Sequence, residues 1–173
     1  MSENKPVVAI LMGSNSDLPC LKSAFDLLRK FDVPFTARIM SAHRTPAEAC
    51  EFASNAEDNG IKVFICAAGM AAHLGGVIAA HTTLPVIGLP MACEPFNGID
   101  ALYSTVQMPP GIPVASVTTG KPGAKNAALY ALSILSLSDE NVRTKLKEFR
   151  TEQTAAVKAA DAELQENLAN GNI

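Results

Sequence analysis

Five short apolar runs punctuate the chain, and segments with helical spacing lie between them. Val7–Met12 is continuous and rich in β-branched residues, the pattern of a strand covered on both faces. The polar stretch Gly13-Ser14-Asn15-Ser16-Asp17 breaks it, after which Leu18, Leu21, Phe25 and Leu28 recur at helical spacing. Phe35–Met40 reads as a second strand. Thr45-Pro46-Ala47-Glu48 is a capping box with proline at the first helical position, so it predicts a helix starting at Thr45 and running to about Asn59-Gly60. Val63–Ala67 is a third strand, followed by a short small-residue helix over Ala71–Ala80. Pro85–Leu89 and Pro113–Val117 give strands four and five, with room for a short helix at Ile99–Val106 between them. GKPGAKN at 120–126 reads as the stretch closing strand five, and Asn126–Leu137 as an apolar helix.

Strands alternating with helices imply a parallel sheet with helices on both faces. Five strands in a chain of 173 residues favour an α/β fold, a flavodoxin-like three-layer αβα sandwich. In such sheets ligands sit outside the carboxyl ends of the strands, near the point where strand order reverses. From Ser138 onward the pattern changes: Val142, Leu146, Phe149, Ala156, Ala160, Leu164 and Leu168 keep one helical face apolar. A helix of this extent is about 45 Å long against a domain diameter of roughly 40 Å, so it overhangs, and its stripe reads as a contact with a second subunit or, toward the closing NLANGNI, as a frayed and partly solvated tail. The expected organisation is an α/β core at 1–137 and a long C-terminal helix at 138–173, part of the same domain and shared between subunits.

Composition narrows the function. Lysine plus arginine total 14 against 17 acidic residues, a net charge of −3, which lacks the basic footprint of a duplex nucleic-acid binder. With no tryptophan, a base-stacking platform is also disfavoured. No apolar run approaches membrane-spanning length, and the early one is shorter than a signal-peptide core. Cys20, Cys50, Cys66 and Cys93 form no CxxC pair and read as reduced structural thiols of a cytoplasmic protein. No cluster has metal-ligand spacing, and no nucleophile triad stands out.

Three loops at strand ends remain as candidates. Gly13–Asp17 leaves a buried strand and enters a helix; free backbone N–H groups and hydroxyls there suit an anion such as phosphate, or simply a turn and cap. It is neither a Walker A loop nor a GxGxxG fingerprint, which argues against nucleoside triphosphates and dinucleotides. Ser41-Ala42-His43-Arg44-Thr45-Pro46 pairs an imidazole able to exchange a proton near neutrality with a guanidinium able to grip a phosphate. Ala68–Gly76 offers small residues for close ligand approach or for tight helix–sheet packing, with His73 as a ligand contact or a loop-orienting group.

Taken together, MGSNSD, SAHRTP, AGMAAHLGG, PVIGLP, the VQMPPGIPVA stretch and GAKNAALYA closely resemble the PurE family of purine biosynthesis, in order across about residues 6–137. Arg44 of SAHRTP, the AAHL segment and the VQMP stretch resemble the class I branch, N5-carboxyaminoimidazole ribonucleotide mutase. Class II members, which carboxylate aminoimidazole ribonucleotide with free CO2, typically carry lysine in place of Arg44. The resemblance implies an isomerase with a nucleotide substrate, no metal and no cofactor, assembled as a homo-octamer. It makes His43 the acid–base residue and places Ser14, Asp17 and Arg44 on the substrate. Ser16 and Ser41 would join Arg44 on the 5′-phosphate, and Ala68, Gly69, His73 and Leu74 would confine the carboxylate. Two departures stand out: Gly75 where the family commonly has the proline of HLPG, and ACEPFNG over 92–98 in place of small residues.

Overall fold

The computed structural model describes residues 5–173. Its five strands are β1 (Val8–Met12), β2 (Phe35–Ile39), β3 (Val63–Gly69), β4 (Val86–Met91) and β5 (Ala115–Ser116). All pair in parallel, in the order β2-β1-β3-β4-β5. The chain steps outward from β1 to β2, then returns to the other side of β1 for β3, so strand order reverses beside β1. This is the three-layer α/β architecture expected of the alternating pattern.

Every residue of β1 and β4 is buried, whereas β2, at the edge, is half-buried to exposed. One face of the sheet, through Ala9, Leu11, Phe64 and Cys66, packs with Ala49 and Ala53 of α2 (Pro46–Ser54) and Leu74 and Ile78 of α3 (Leu74–Ala79). The alternate residues Val8, Ile10 and Ile65 are equally buried, as a strand covered on both sides requires. Helix α1 (Leu18–Lys30) buries Leu21, Ala24 and Leu28, and α5 (Gly120–Leu135) buries Ala124, Ala127, Ala128 and Ala131. The Ser23 hydroxyl donates to the Lys121 carbonyl at 3.4 Å, joining these two helices. Helix α4 (Ile99–Val106) lies against β4.

Several boundaries differ from expectation. Helix α5 starts at Gly120, six residues before Asn126, because Pro122 falls in the first turn, where its missing N–H breaks no helical bond. Gly123 is needed there: a side chain would run into the Thr118 carbonyl. The GKPG stretch is therefore a helix opening and not a closing turn. Strand β5 shrinks to two residues, whereas β4 continues through Pro90, beyond the last position that pairs with β5, where one side of the ladder is open. Helix α3 is confined to six residues because β3 extends to Gly69 and the following residues form a loop. Thr45 holds the N-cap position of α2, but its hydroxyl makes no capping bond, so the capping box does not form.

The chain divides into two compact units, Met1–Ile134 and Leu135–Ile173. The second is dominated by α6 (Glu140–Ala169), 30 residues long and capped by Asp139, whose carboxylate accepts from the Val142 N–H at 3.1 Å. Arg143 anchors its first turns, donating to the Ser136 carbonyl and pairing with Glu140 at 2.7 Å.

Gly75 is buried in α3 with room for a methyl group: a Cβ would lie 3.4 Å from the Val114 side chain and farther from everything else. A helical glycine costs about 0.5–1 kcal/mol relative to alanine. Gly75→Ala is expected to stabilise the protein by about that amount, read as a higher urea midpoint at unchanged slope.

Candidate active site

Parallel register sets the carboxyl ends of three strands in one row: Met12 lies opposite Ile39 on one side and Ala67 on the other. The loops leaving them are stitched to the same edge. The Met40 N–H donates to the Met12 carbonyl at 2.9 Å, and the Gly13 N–H to the Ala67 carbonyl at 3.2 Å. Between these loops opens a cleft of about 550 Å³. Ser14, Ser16, Asp17, Ser41, His43, Arg44, Ala68, Gly69, His73 and Leu74 all line it, so every site residue expected from sequence meets at one place.

The first wall is the turn Asn15–Asp17. Ser14 caps it, its hydroxyl accepting from the Ser16 N–H at 3.3 Å and from the Ser16 hydroxyl at 3.0 Å. Asp17 closes the turn and is only 8% exposed. Burial pushes its carboxyl up from the ordinary aspartate value, and hydrogen bonds from the Ser14 backbone and the Ser16 side chain partly oppose this. Because the native state disfavours ionised Asp17, the cost is absent at a pH where both folded and unfolded carboxyls are protonated. It grows as pH rises through the aspartate range. Asp17→Asn is accordingly expected to raise the melting temperature at pH 7, with the gain vanishing near pH 3. A gain that persisted unchanged at acid pH would contradict this.

The second wall carries His43 and Arg44. The Arg44 guanidinium reaches across to the Gly13 carbonyl, donating through Nη2 at 2.6 Å, and its Nε lies 3.5 Å from the Ser41 hydroxyl oxygen. A guanidinium has five N–H donors, so an anion in the cleft can still be gripped. His43 Nε2 lies 2.9 Å from His73 Nδ1, the rings meeting edge to face with centroids 5.0 Å apart. One ring nitrogen donates and the other accepts, so the tautomer of each ring sets that of the other. His73 thus contacts a ring nitrogen of His43 from the neighbouring loop.

The floor comes from the end of β3. Gly69 admits the Cys93 sulfur, which would lie 2.7 Å from a Cβ placed there. Cys93 lines the cleft, although its spacing reads as a structural thiol. Burial raises its thiol, as do the nearby Asp17 and Asp100 charges, so the sulfur stays protonated at neutral pH. Met70 also lines the cleft, 61% exposed and held at φ 57°, a left-handed conformation unusual for a residue with a side chain. Met70 falls within the Ala68–Gly76 loop singled out from sequence, whereas Cys93 lies outside every candidate loop. The signal for Cys93 was its place just past a strand end. Among the described residues, no group of three or more His, Cys, Asp or Glu side chains is placed to hold a metal ion.

A flavodoxin-like sheet with a cleft at its switch point, walled by a serine-rich turn and an adjacent His-Arg loop, places the chain in the class of α/β proteins built to take a small molecule at that edge. Within that class, the AIR carboxylase family model matches residues 7–156, and the chain belongs to this family. It is 54% identical over 145 residues to a Pyrococcus abyssi protein named N5-carboxyaminoimidazole ribonucleotide mutase, covering 84% of this chain and 82% of that one. A Bacillus subtilis protein of the same name is 51% identical, with 87% and 94% covered. The crystal structure of Treponema denticola PurE superposes with a TM-score of 0.83 at 31% identity, covering 92% of this chain and 98% of that one.

Proposed function

We propose that this chain is an N5-carboxyaminoimidazole ribonucleotide mutase, moving the substrate carboxylate from N5 to C4 of the imidazole ring in purine biosynthesis. Its curated relatives at about this level of identity carry that name. The observation that carries the reading is His43, set in the cleft against His73 and next in sequence to Arg44.

The chemistry follows from those positions. Cleavage of the N5–carboxylate bond releases CO2 and leaves electron density on N5, which takes a proton from His43. C4 of the aminoimidazole then attacks the same CO2, and the C4 proton returns to His43. Atoms and charge balance, and one imidazole serves both half-reactions. Arg44, Ser16 and Ser41 hold the 5′-phosphate and Asp17 accepts from the ribose hydroxyls, so binding energy remote from the ring orients it. Ala68, Gly69, His73 and Leu74 confine the CO2.

The test supplies each substrate separately to purified protein without ATP. Conversion of N5-carboxyaminoimidazole ribonucleotide without added bicarbonate supports the mutase. Carboxylation of aminoimidazole ribonucleotide by free CO2 as the sole activity would replace it with the class II reaction.

The enzyme works in this reading as a cytoplasmic homo-oligomer, an octamer, with α6 shared between subunits. Residues 151–166 of that helix are exposed throughout, including Val157 and Leu164. No helix among the described residues is long and apolar enough to cross a membrane. Light scattering of the intact chain is expected to give eight subunit masses, and truncation after Leu137 a smaller assembly. A monomeric mass for the intact chain would contradict this.

A further inference from the structure

His43 and Arg44 stand on the six-residue loop between β2 and α2 and are both exposed, so packing does little to fix them. Hydrogen bonds must do so, and they converge on Ser41. Its hydroxyl oxygen accepts from the His43 N–H at 3.3 Å and the Arg44 N–H at 3.2 Å. Ser41 is itself gripped at both ends by Thr45. The Thr45 hydroxyl accepts from the Ser41 N–H at 2.9 Å and donates to the Ser41 carbonyl at 3.2 Å, and the Thr45 N–H donates to that carbonyl at 2.9 Å. Thr45 is half-buried and does not line the cleft.

A threonine at an N-cap normally turns its hydroxyl forward, onto an N–H of the helix it opens. Here the hydroxyl turns backward, and α2 has no side-chain cap. A group suited to stabilising a helix end is instead committed to the loop that carries the acid–base imidazole and the guanidinium. We propose that Thr45 is a positioning residue for the reaction, its hydroxyl closing the 41–45 loop so that His43 and Arg44 are held together in working geometry. This rests on the mutase reading for its catalytic consequence, though not for the loop closure itself.

Thr45→Val keeps the branched shape and removes both hydroxyl bonds. Because a misplacement of about 1 Å can cost on the order of 100-fold, kcat/KM is expected to fall about 10- to 100-fold. The loss should be divided between a lower kcat, through His43, and a higher KM, through Arg44. Thr45→Ser restores the hydroxyl and is expected to return kcat/KM to within about threefold of the parent. The melting temperature of Thr45→Val is expected to fall only modestly, since two part-buried hydrogen bonds are lost but no helix cap. Hydrogen exchange read by mass spectrometry on the full-length protein should show faster exchange across 41–45 in Thr45→Val only.

Parental kcat/KM in Thr45→Val would overturn the proposal. So would a Thr45→Ser variant as impaired as Thr45→Val, or a lowered melting temperature with unchanged kcat and KM. Should the parent itself fail to convert the substrate, the mutase reading falls. The exchange measurement then still decides the loop closure, with unchanged protection across 41–45 overturning it.

Discussion

His43→Asn is expected to fold and assemble normally while losing at least about 100-fold in turnover, the low end of what a positioned general acid–base contributes. His43 is exposed and its side chain makes one polar contact, to His73, so its removal leaves the core untouched. Asparagine is polar and of similar reach, but it cannot carry a proton between N5 and C4. Both half-reactions therefore fail together. Retention of more than about a tenth of the activity, a barrier change under about 1.4 kcal/mol, would remove the acid–base role.

The second large effect is expected at Arg44. Its guanidinium holds the Gly13 carbonyl at 2.6 Å and faces the cleft beside Ser16 and Ser41. Hydrogen bonds to a charged group contribute about 1.5–3 kcal/mol, so Arg44→Ala should raise KM by roughly 10- to 100-fold. The effect on kcat should be smaller, because in the proposed binding mode the phosphate is remote from the carbon that reacts. The same variant frees the Gly13 carbonyl and loosens the tie between the two loops, so a modest fall in kcat accompanies the rise in KM. Steady-state kinetics separate the two, and an unchanged KM would take Arg44 off the phosphate.

Much of this architecture was legible in the residues. A strand covered on both faces is apolar throughout, which is why β1 could be read directly from Val7–Met12. The strands and helices repeat in an order that admits few topologies, and the carboxyl edge of the sheet then selects the loops that matter. What could not be read was context that only the fold supplies. Gly120-Lys121-Pro122-Gly123 has the composition of a turn, yet Pro122 is compatible with a helix's first turn and the packing of α5 favours that outcome. Thr45 matches a capping box by spacing, but its hydroxyl is engaged instead by the backbone N–H and carbonyl of Ser41, four residues earlier.

The site divides in the same way. Its loops were visible as short polar or small-residue segments at strand ends. Contacts between them were not, because the His43 and His73 loops leave β2 and β3, which flank β1 on opposite sides. The 30-residue separation of those two histidines carries no periodic signal. Cys93 reaches the cleft only because Gly69 leaves space for its sulfur, a relation between β3 and the end of β4. Met70 looks like an ordinary apolar residue until its left-handed backbone is seen.

The most direct test of the account is the structure of the protein with 4-carboxyaminoimidazole ribonucleotide bound. A His43 ring nitrogen is expected within about 2.6–3.2 Å of a reacting position of the imidazole, or joined to it by one water, with the 5′-phosphate on Arg44, Ser16 and Ser41. An imidazole ring lying far from His43, with no water between them, would contradict this.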